Sequence, residues 1–423
     1  MEKRKATLYL EAHSVITPKE KGPVIFKENS PLLLVFSPGA VAIEGEKIIA
    51  VGTPSKVKEE VTINSSTETF KKPDGIILPG FVDPHTHLVY SGSRIKEFIL
   101  RQEGKSYEEI QKKGGGIYST VKSTLKASPQ QLLNLSLNRL KIMLSHGTTT
   151  VEIKSGYCLY GEEELKLLKV INALSQFTPV EIVPTFLVHL IPQEYHSCKD
   201  RYINQITEEM LPSIVKEKLA NFCDVYCERT ALNVEESLKI LSTAKSLGLS
   251  TKIHAEQFSY SKGSLVAEKV EATSADHLDF ITLEGIEALK RGGVIAVLLP
   301  GSNFFLDTPT YAPFIKLKNA GVPVALASDF NAGSCQILSM QEVISLGVLK
   351  LKMTPEEAIV ASTINAALAC GVGRDRGVLS PGYQADIIIV ASKDYREFAY
   401  QSGINLVSTV IKKGKIVYKN FYI

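Results

Sequence analysis

Short apolar runs separated by turn residues open the chain. They are Thr7–Leu10, Leu32–Phe36 and Val41–Gly52, and the last carries Gly45 between two apolar stretches, the pattern of a hairpin. Similar runs close the chain, Ala385–Val390 and Val410–Tyr418. A β-rich start and a β-rich finish predict one small β-sandwich domain built from both termini, residues 1–78 plus 379–423. The middle, residues 79–378, has another rhythm. Apolar strands alternate there with helical patterns such as Glu162–Leu174 and Val234–Leu247. Eight strands are expected, ending near His85, Lys154, His189, Glu228, His254, His277, Pro300 and Asp329. Eight βα units over ~300 residues predict an α/β fold of the (β/α)8 barrel type, in which strand ends carry the chemistry.

The polar residues at those ends are of one kind. The motif Gly80-Phe81-Val82-Asp83-Pro84-His85-Thr86-His87 follows the apolar run Ile76-Ile77-Leu78, so His85 and His87 read as the end of a buried strand. Residues i and i+2 of a strand share a face, so the two imidazoles would point together, as half of a metal site does. Taken alone, such a pair is as readily a surface feature. Five of the eight histidines, His85, His87, His189, His254 and His277, fall at expected strand ends, and Asp329 closes the last one. Singly, His189 could be a satisfied core residue and Asp329 a helix cap. Jointly, His85, His87, His254 and Asp329 offer three nitrogens and one oxygen, a mononuclear set with room for water.

Composition narrows the class without changing this picture. The 423 residues have 44% hydrophobic and 22% charged content, values of a globular chain. A net charge of +3, from 48 basic and 45 acidic residues, gives no basic field for nucleic acid. No apolar run approaches the ~20 residues of a membrane span, and the basic start lacks a signal-peptide core. Six cysteines without metal-type spacing are expected as free thiols. The expected setting is cytoplasmic, with a small-molecule substrate, neither nucleic acid nor membrane as partner, and a homodimer as the assembly.

The motif at 79–87, His254, His277 and Ser328-Asp329-Phe330 resemble the amidohydrolase superfamily, and Gly382-Tyr383-Gln384-Ala385-Asp386 resembles the signature of its composite β-domain. Rarer segments resemble the imidazolonepropionase family. They are Ser91-Gly92-Ser93-Arg94, Gly104-Lys105-Ser106-Tyr107, Gly114-Gly115-Gly116-Ile117, Lys154-Ser155-Gly156-Tyr157 and Asp329-Phe330-Asn331-Ala332-Gly333-Ser334. That resemblance implies hydrolysis of the ring amide of 4-imidazolone-5-propanoate to N-formimidoyl-L-glutamate, in histidine degradation. It implies one Zn2+ or Fe3+ per chain, held by His85, His87, His254 and Asp329. Arg94 matches the family's contact to the substrate carboxylate, Tyr157 and His189 its ring contacts, and Asn331, Gly333 and Ser334 the loop at the substrate's other end. His277 would hydrogen-bond the attacked carbonyl or the water, and Asp329 would move the proton.

Two positions depart from the family. Gln257, in His254-Ala255-Glu256-Gln257, stands where a ring-contacting Glu is usual, and an amide holds a hydrogen bond but takes no proton. Cys158 stands where Gly commonly follows Gly-Tyr. Competing readings are a mononuclear heterocycle deaminase, which needs no carboxylate clamp, and a binuclear enzyme, which would want a bridging Lys where the chain has Glu228. A non-catalytic scaffold would have lost ligands.

Overall fold

The computed structural model describes residues 3–105, 109 and 115–420. Ser106, Tyr107 and Gly114 of the family-like segments lie outside the described residues. Eight parallel strands run in sequence order around the core: Phe81–Asp83 (β1), Thr148–Lys154 (β2), Glu181–Val188 (β3), Phe222–Cys227 (β4), Ser250–Ala255 (β5), Ser274–His277 (β6), Ile295–Leu298 (β7) and Val324–Leu326 (β8). The ring closes between first and last strands. The Asp329 amide donates to the His85 carbonyl at 3.1 Å and the His87 amide to the Phe330 carbonyl at 2.8 Å. These bonds tie the two histidines to Asp329 through the backbone. The barrel is therefore the frame of the site, as the strand count predicts.

Helices connect the strands and start where capping chemistry allows. Asn233 and Glu236 form a reciprocal capping box ahead of Val234–Ser246. The helix Gly161–Leu174 buries Leu165, Leu167, Leu168, Ile171 and Leu174, which share one helical face, against the barrel. Among the described residues no helix is long and apolar enough to cross a membrane. All six cysteines are free.

The terminal segments form a second sheet. Its order is Lys415–Lys419, Val407–Lys412, Ile387–Val390, Glu68–Pro79, Leu8–Pro18, Gly39–Glu44 and Lys47–Gly52, with Leu33–Phe36 added against Leu8–Pro18. One expectation is corrected here. The run Ile76-Ile77-Leu78 is not the strand that delivers His85 and His87; it pairs with Ile387–Val390 in the terminal sheet. A short all-apolar run suits any buried strand, so its pattern cannot say which sheet takes it. Gly80 is the switch between the two sheets. A Cβ there would lie 2.3 Å from the Thr149 side chain, so only glycine lets the chain pass from one sheet into β1. Strand β1 itself ends at Asp83, and His85 and His87 lie just beyond it.

Candidate active site

Five side chains from four strand ends converge in a dry space. His85, His87, His254, His277 and Asp329 are all at most 4% exposed. The Nε2 atoms of His85 and His87 lie 3.3 Å apart, and those of His254 and His87 lie 3.4 Å apart. Asp329 Oδ1 is 3.6 Å from His85 Nε2 and 3.7 Å from His87 Nε2. Ligands about 2.0–2.1 Å from a tetrahedral Zn2+ sit about 3.3–3.4 Å from one another, so the spacing fits a common ion. His277 also belongs to the cluster. One ring nitrogen each from His85, His254 and His277 falls within 4.8 Å of the others.

The donor chemistry agrees with the spacing. Burial, reinforced by the charge of Lys154, holds His85 far below its ordinary pKa. Burial and neighbouring His254 do the same for His87 and His277. Neutral imidazoles with free lone pairs are ligands; imidazolium ions are not. Two rings of the cluster are fixed from behind: His85 Nδ1 lies 2.6 Å from Asp276 Oδ2 and His254 Nδ1 lies 3.1 Å from Asp224 Oδ1. A carboxylate at Nδ1 holds the hydrogen there and leaves Nε2 bare, the arrangement metal-binding histidines use. Among the described residues, Asp329 Oδ2 finds no hydrogen-bond partner although it is buried. Burial pushes the Asp329 carboxyl up to about 6, against the pull of His254. A buried group left unsatisfied in this way is what a bound cation or water would complete.

The backbone is strained at the same rim. Non-glycine residues take positive φ at Glu256 (52°), His277 (77°) and Asp329 (52°), each at or just after a barrel strand. Such conformations cost of order 1–3 kcal/mol and concentrate at functional sites. Asp329 is thus the strained end of β8 and not a helix cap.

The other expected residues surround the cluster. The His189 ring stacks on His87 at 5.5 Å between centroids, and Tyr157 packs against both at 6.0 and 5.9 Å. Burial first, then His254, drives His189 down to about 3. Tyr157 is held by its own loop, because the buried Glu164 accepts from the amides on either side, Gly156 and Cys158. Gln257 Oε1 accepts from the Tyr226 hydroxyl at 2.9 Å, and the Tyr226 ring packs on His189 and His254. Glu256 turns away: its Oε1 accepts from the amide of Ser264 at 3.0 Å, at the start of the helix Gly263–Val270. Glu228 accepts from the amides of Phe258 and Ser259, so it stabilises the loop after β5.

Arg94 lies at the mouth, and its charge acts on both Tyr157 and His189. Its Nε and Nη2 bind Glu97 Oε2 at 2.8 and 2.7 Å. The guanidinium lies against Gly333. Asn331 spends its side chain on the loop. Its Oδ1 accepts from the amides of Gly333 and Ser334, and its Nδ2 donates to Ser334 Oγ and the Asp329 carbonyl.

Several contributors were not singled out from the sequence. Asp224, Asp276 and Glu164 are buried carboxylates inside apolar elements, and Lys154 joins the first two. Their signal is a charged residue inside a strand such as Phe222-Cys223-Asp224-Val225, where burial on both faces should exclude one.

The amidohydrolase family profile matches residues 76–417. An imidazolonepropionase of Caldanaerobacter subterraneus subsp. tengcongensis is 46% identical over 374 residues, 88% of each chain. Another, from Shouchella clausii, is 44% identical over 416 residues, 97% of this chain and 92% of the relative. In fold, the chain resembles a zinc-bound adenosine deaminase from Xanthomonas campestris, with TM-score 0.70 at 18% identity over 98% of this chain and 93% of the other. Aspergillus niger ochratoxinase gives TM-score 0.71 at 18% identity, over 99% and 97%. By its family profile and its relatives, the chain belongs to the amidohydrolases and, among them, to the imidazolonepropionase family.

Proposed function

We propose that the cluster of His85, His87, His254 and Asp329 is the mononuclear metal site of an imidazolonepropionase, hydrolysing the ring amide of 4-imidazolone-5-propanoate to N-formimidoyl-L-glutamate. The observation that carries this reading is the approach of the Nε2 atoms of His85 and His254 to within 3.3 and 3.4 Å of His87 Nε2, beside an unsatisfied carboxylate. The ion taken is one Zn2+ or Fe3+ per chain. Held there, such an ion would supply Lewis-acid polarisation of the ring carbonyl and a lowered pKa for the attacking water.

The remaining work falls to side chains. Asp329, beside the attacking water, would take its proton and return it to the departing ring nitrogen. His277, buried beside His85 and His254, would hydrogen-bond the attacked carbonyl oxygen or the water. Tyr157 and His189 wall the ring's pocket, and Gln257, steadied by Tyr226, orients the ring without taking a proton. Arg94 presents its fork to the propanoate, with Gly333 and Ser334 shaping the loop beside it. The two domains of this reading are residues 1–78 with 379–423 and residues 79–378.

The test is to follow 4-imidazolone-5-propanoate with metal-replete protein. Loss of the ring chromophore without ammonia release supports the reading. Inertness would reject it, and ammonia release from an amino-substituted heterocycle offered in place of that substrate would turn it toward a deaminase.

A further inference from the structure

Beneath the imidazoles the barrel carries charge where side-chain layers are ordinarily apolar. Glu152 and Lys154 on β2, Asp224 on β4, Lys252 on β5 and Asp276 on β6 have no exposure to solvent. Burying charges costs several kcal/mol per ion unless geometry and hydrogen bonds compensate, so such a cluster needs a reason.

Its connections supply one. Lys154 Nζ lies 2.7 Å from Asp224 Oδ2, 3.4 Å from Asp276 Oδ2 and 3.0 Å from Glu152 Oε2. Asp224 gives its other oxygen to His254 Nδ1 at 3.1 Å. Asp276 Oδ2, besides facing Lys154, meets His85 Nδ1 at 2.6 Å, and its Oδ1 accepts from Ser274 Oγ at 2.7 Å. Strands β4 and β6 are not neighbours, since β5 runs between them. One ammonium from β2 therefore bridges the barrel interior and holds the carboxylates behind two different imidazoles. Lys252 does otherwise: it binds Glu152 at 3.0 Å and the Pro84 carbonyl at 3.2 Å.

We propose that Lys154 is a positioning residue for the metal site, a single cation that locks the Asp224–His254 and Asp276–His85 pairs so that both Nε2 atoms stay aimed at one point. The inference rests on the ligand set proposed above. An imidazole is fixed in rotation only as well as the carboxylate behind it; Lys154 holds Asp224 through Oδ2 and meets Asp276 at the same oxygen that faces His85, while Ser274 holds the other. A compact ammonium with three donors suits the role, because it serves three carboxylates in directions a planar guanidinium cannot.

The experiment measures transfer of Zn2+ from the loaded, full-length protein to a chromogenic chelator, alongside thermal unfolding and the split of kcat and KM. Outer partners of metal-bound histidines typically carry 10–100-fold in affinity. Lys154→Met should release Zn2+ about ten- to a hundredfold faster, with KM for 4-imidazolone-5-propanoate unchanged once Zn2+ is in excess. Removing a buried cation leaves three carboxylates facing one another, so a second variant keeps the charge balance. Lys154→Met with Glu152→Gln removes the clamp together with the one carboxylate of the three that contacts no imidazole. Fast release in this folded double variant supports the positioning role. Release at the wild-type rate would overturn it, as would failure of both variants to fold, which would assign Lys154 to the fold. His85→Ala run in parallel separates the two readings. If that variant keeps Zn2+ as tightly as wild type, the ligand set itself is wrong.

Discussion

Gly333→Ala tests the carboxylate clamp without touching a charge. A Cβ at Gly333 would lie 2.0 Å from Arg94 Nη1 and 2.6 Å from Cζ, where ordinary contact begins at 3.4 Å. The atom in the way is the end of a flexible side chain, so the guanidinium gives way and the loop does not. Clearing Nη1 requires a shift of about 1.4 Å (3.4 less 2.0), while Glu97 holds Nε and Nη2 from the other side. A misplacement of about 1 Å in a positioning group can cost about a hundredfold. Losing one charge-assisted hydrogen bond, about 1.5–3 kcal/mol, is about ten- to a hundredfold as well. We therefore expect kcat/KM for 4-imidazolone-5-propanoate to fall by that factor, mostly through KM, with the unfolding temperature nearly unchanged. The control is an analogue with a methyl group in place of the propanoate, on which wild type and variant should perform alike. An undiminished kcat/KM on the full substrate, or an equal loss on the methyl analogue, would refute the reasoning that Arg94 grips the carboxylate.

Purified protein should carry one equivalent of tightly bound metal, and His85→Ala should lose it; two equivalents by elemental analysis would reject the mononuclear site. Gln257→Glu and Glu256→Gln should each change kcat/KM less than tenfold, because Gln257 orients and Glu256 faces the helix Gly263–Val270; a hundredfold gain in the first would mean the pocket is tuned to another substrate. Asp279 is an acid whose folded pKa burial raises from 3.8 to about 7, so it favours folding most at low pH, and that contribution is lost as pH climbs from about 4 to about 7. Asp279→Asn removes this dependence, so between pH 5 and 8 its unfolding free energy should fall less than that of wild type, by on the order of 2–3 kcal/mol; parallel pH profiles would contradict this.

The barrel was legible because each βα unit writes its own punctuation, an apolar strand and then a helix with a capping residue such as Asn233 or Thr354. The residues of the candidate site were legible for a related reason. A histidine at a strand end after an apolar run is rare enough that five of them point to one rim. The origin of the first pair was misread, since Ile76–Leu78 and Phe81–Asp83 are separated only by Pro79 and Gly80 and look like one strand. Three-dimensional closeness was the other thing the sequence could not supply. Lys154, Asp224 and Asp276 are far apart along the chain, and each alone reads as an odd charge in a strand. Their partnership exists only because β2, β4 and β6 turn their side chains into one interior. Asn331, expected in the loop at the substrate's other end, devotes its polar atoms to shaping that loop.

The central claim is hydrolysis of the ring amide by water activated in this cluster, and oxygen labelling reads it directly. Metal-replete protein is incubated with 4-imidazolone-5-propanoate in 18O-water and the product is analysed by mass spectrometry. The account predicts N-formimidoyl-L-glutamate with one 18O in the α-carboxylate, the carbon that was the ring carbonyl, and no product from His85→Ala. Unchanged substrate, or a ring-opened product with no 18O in the α-carboxylate, would contradict it.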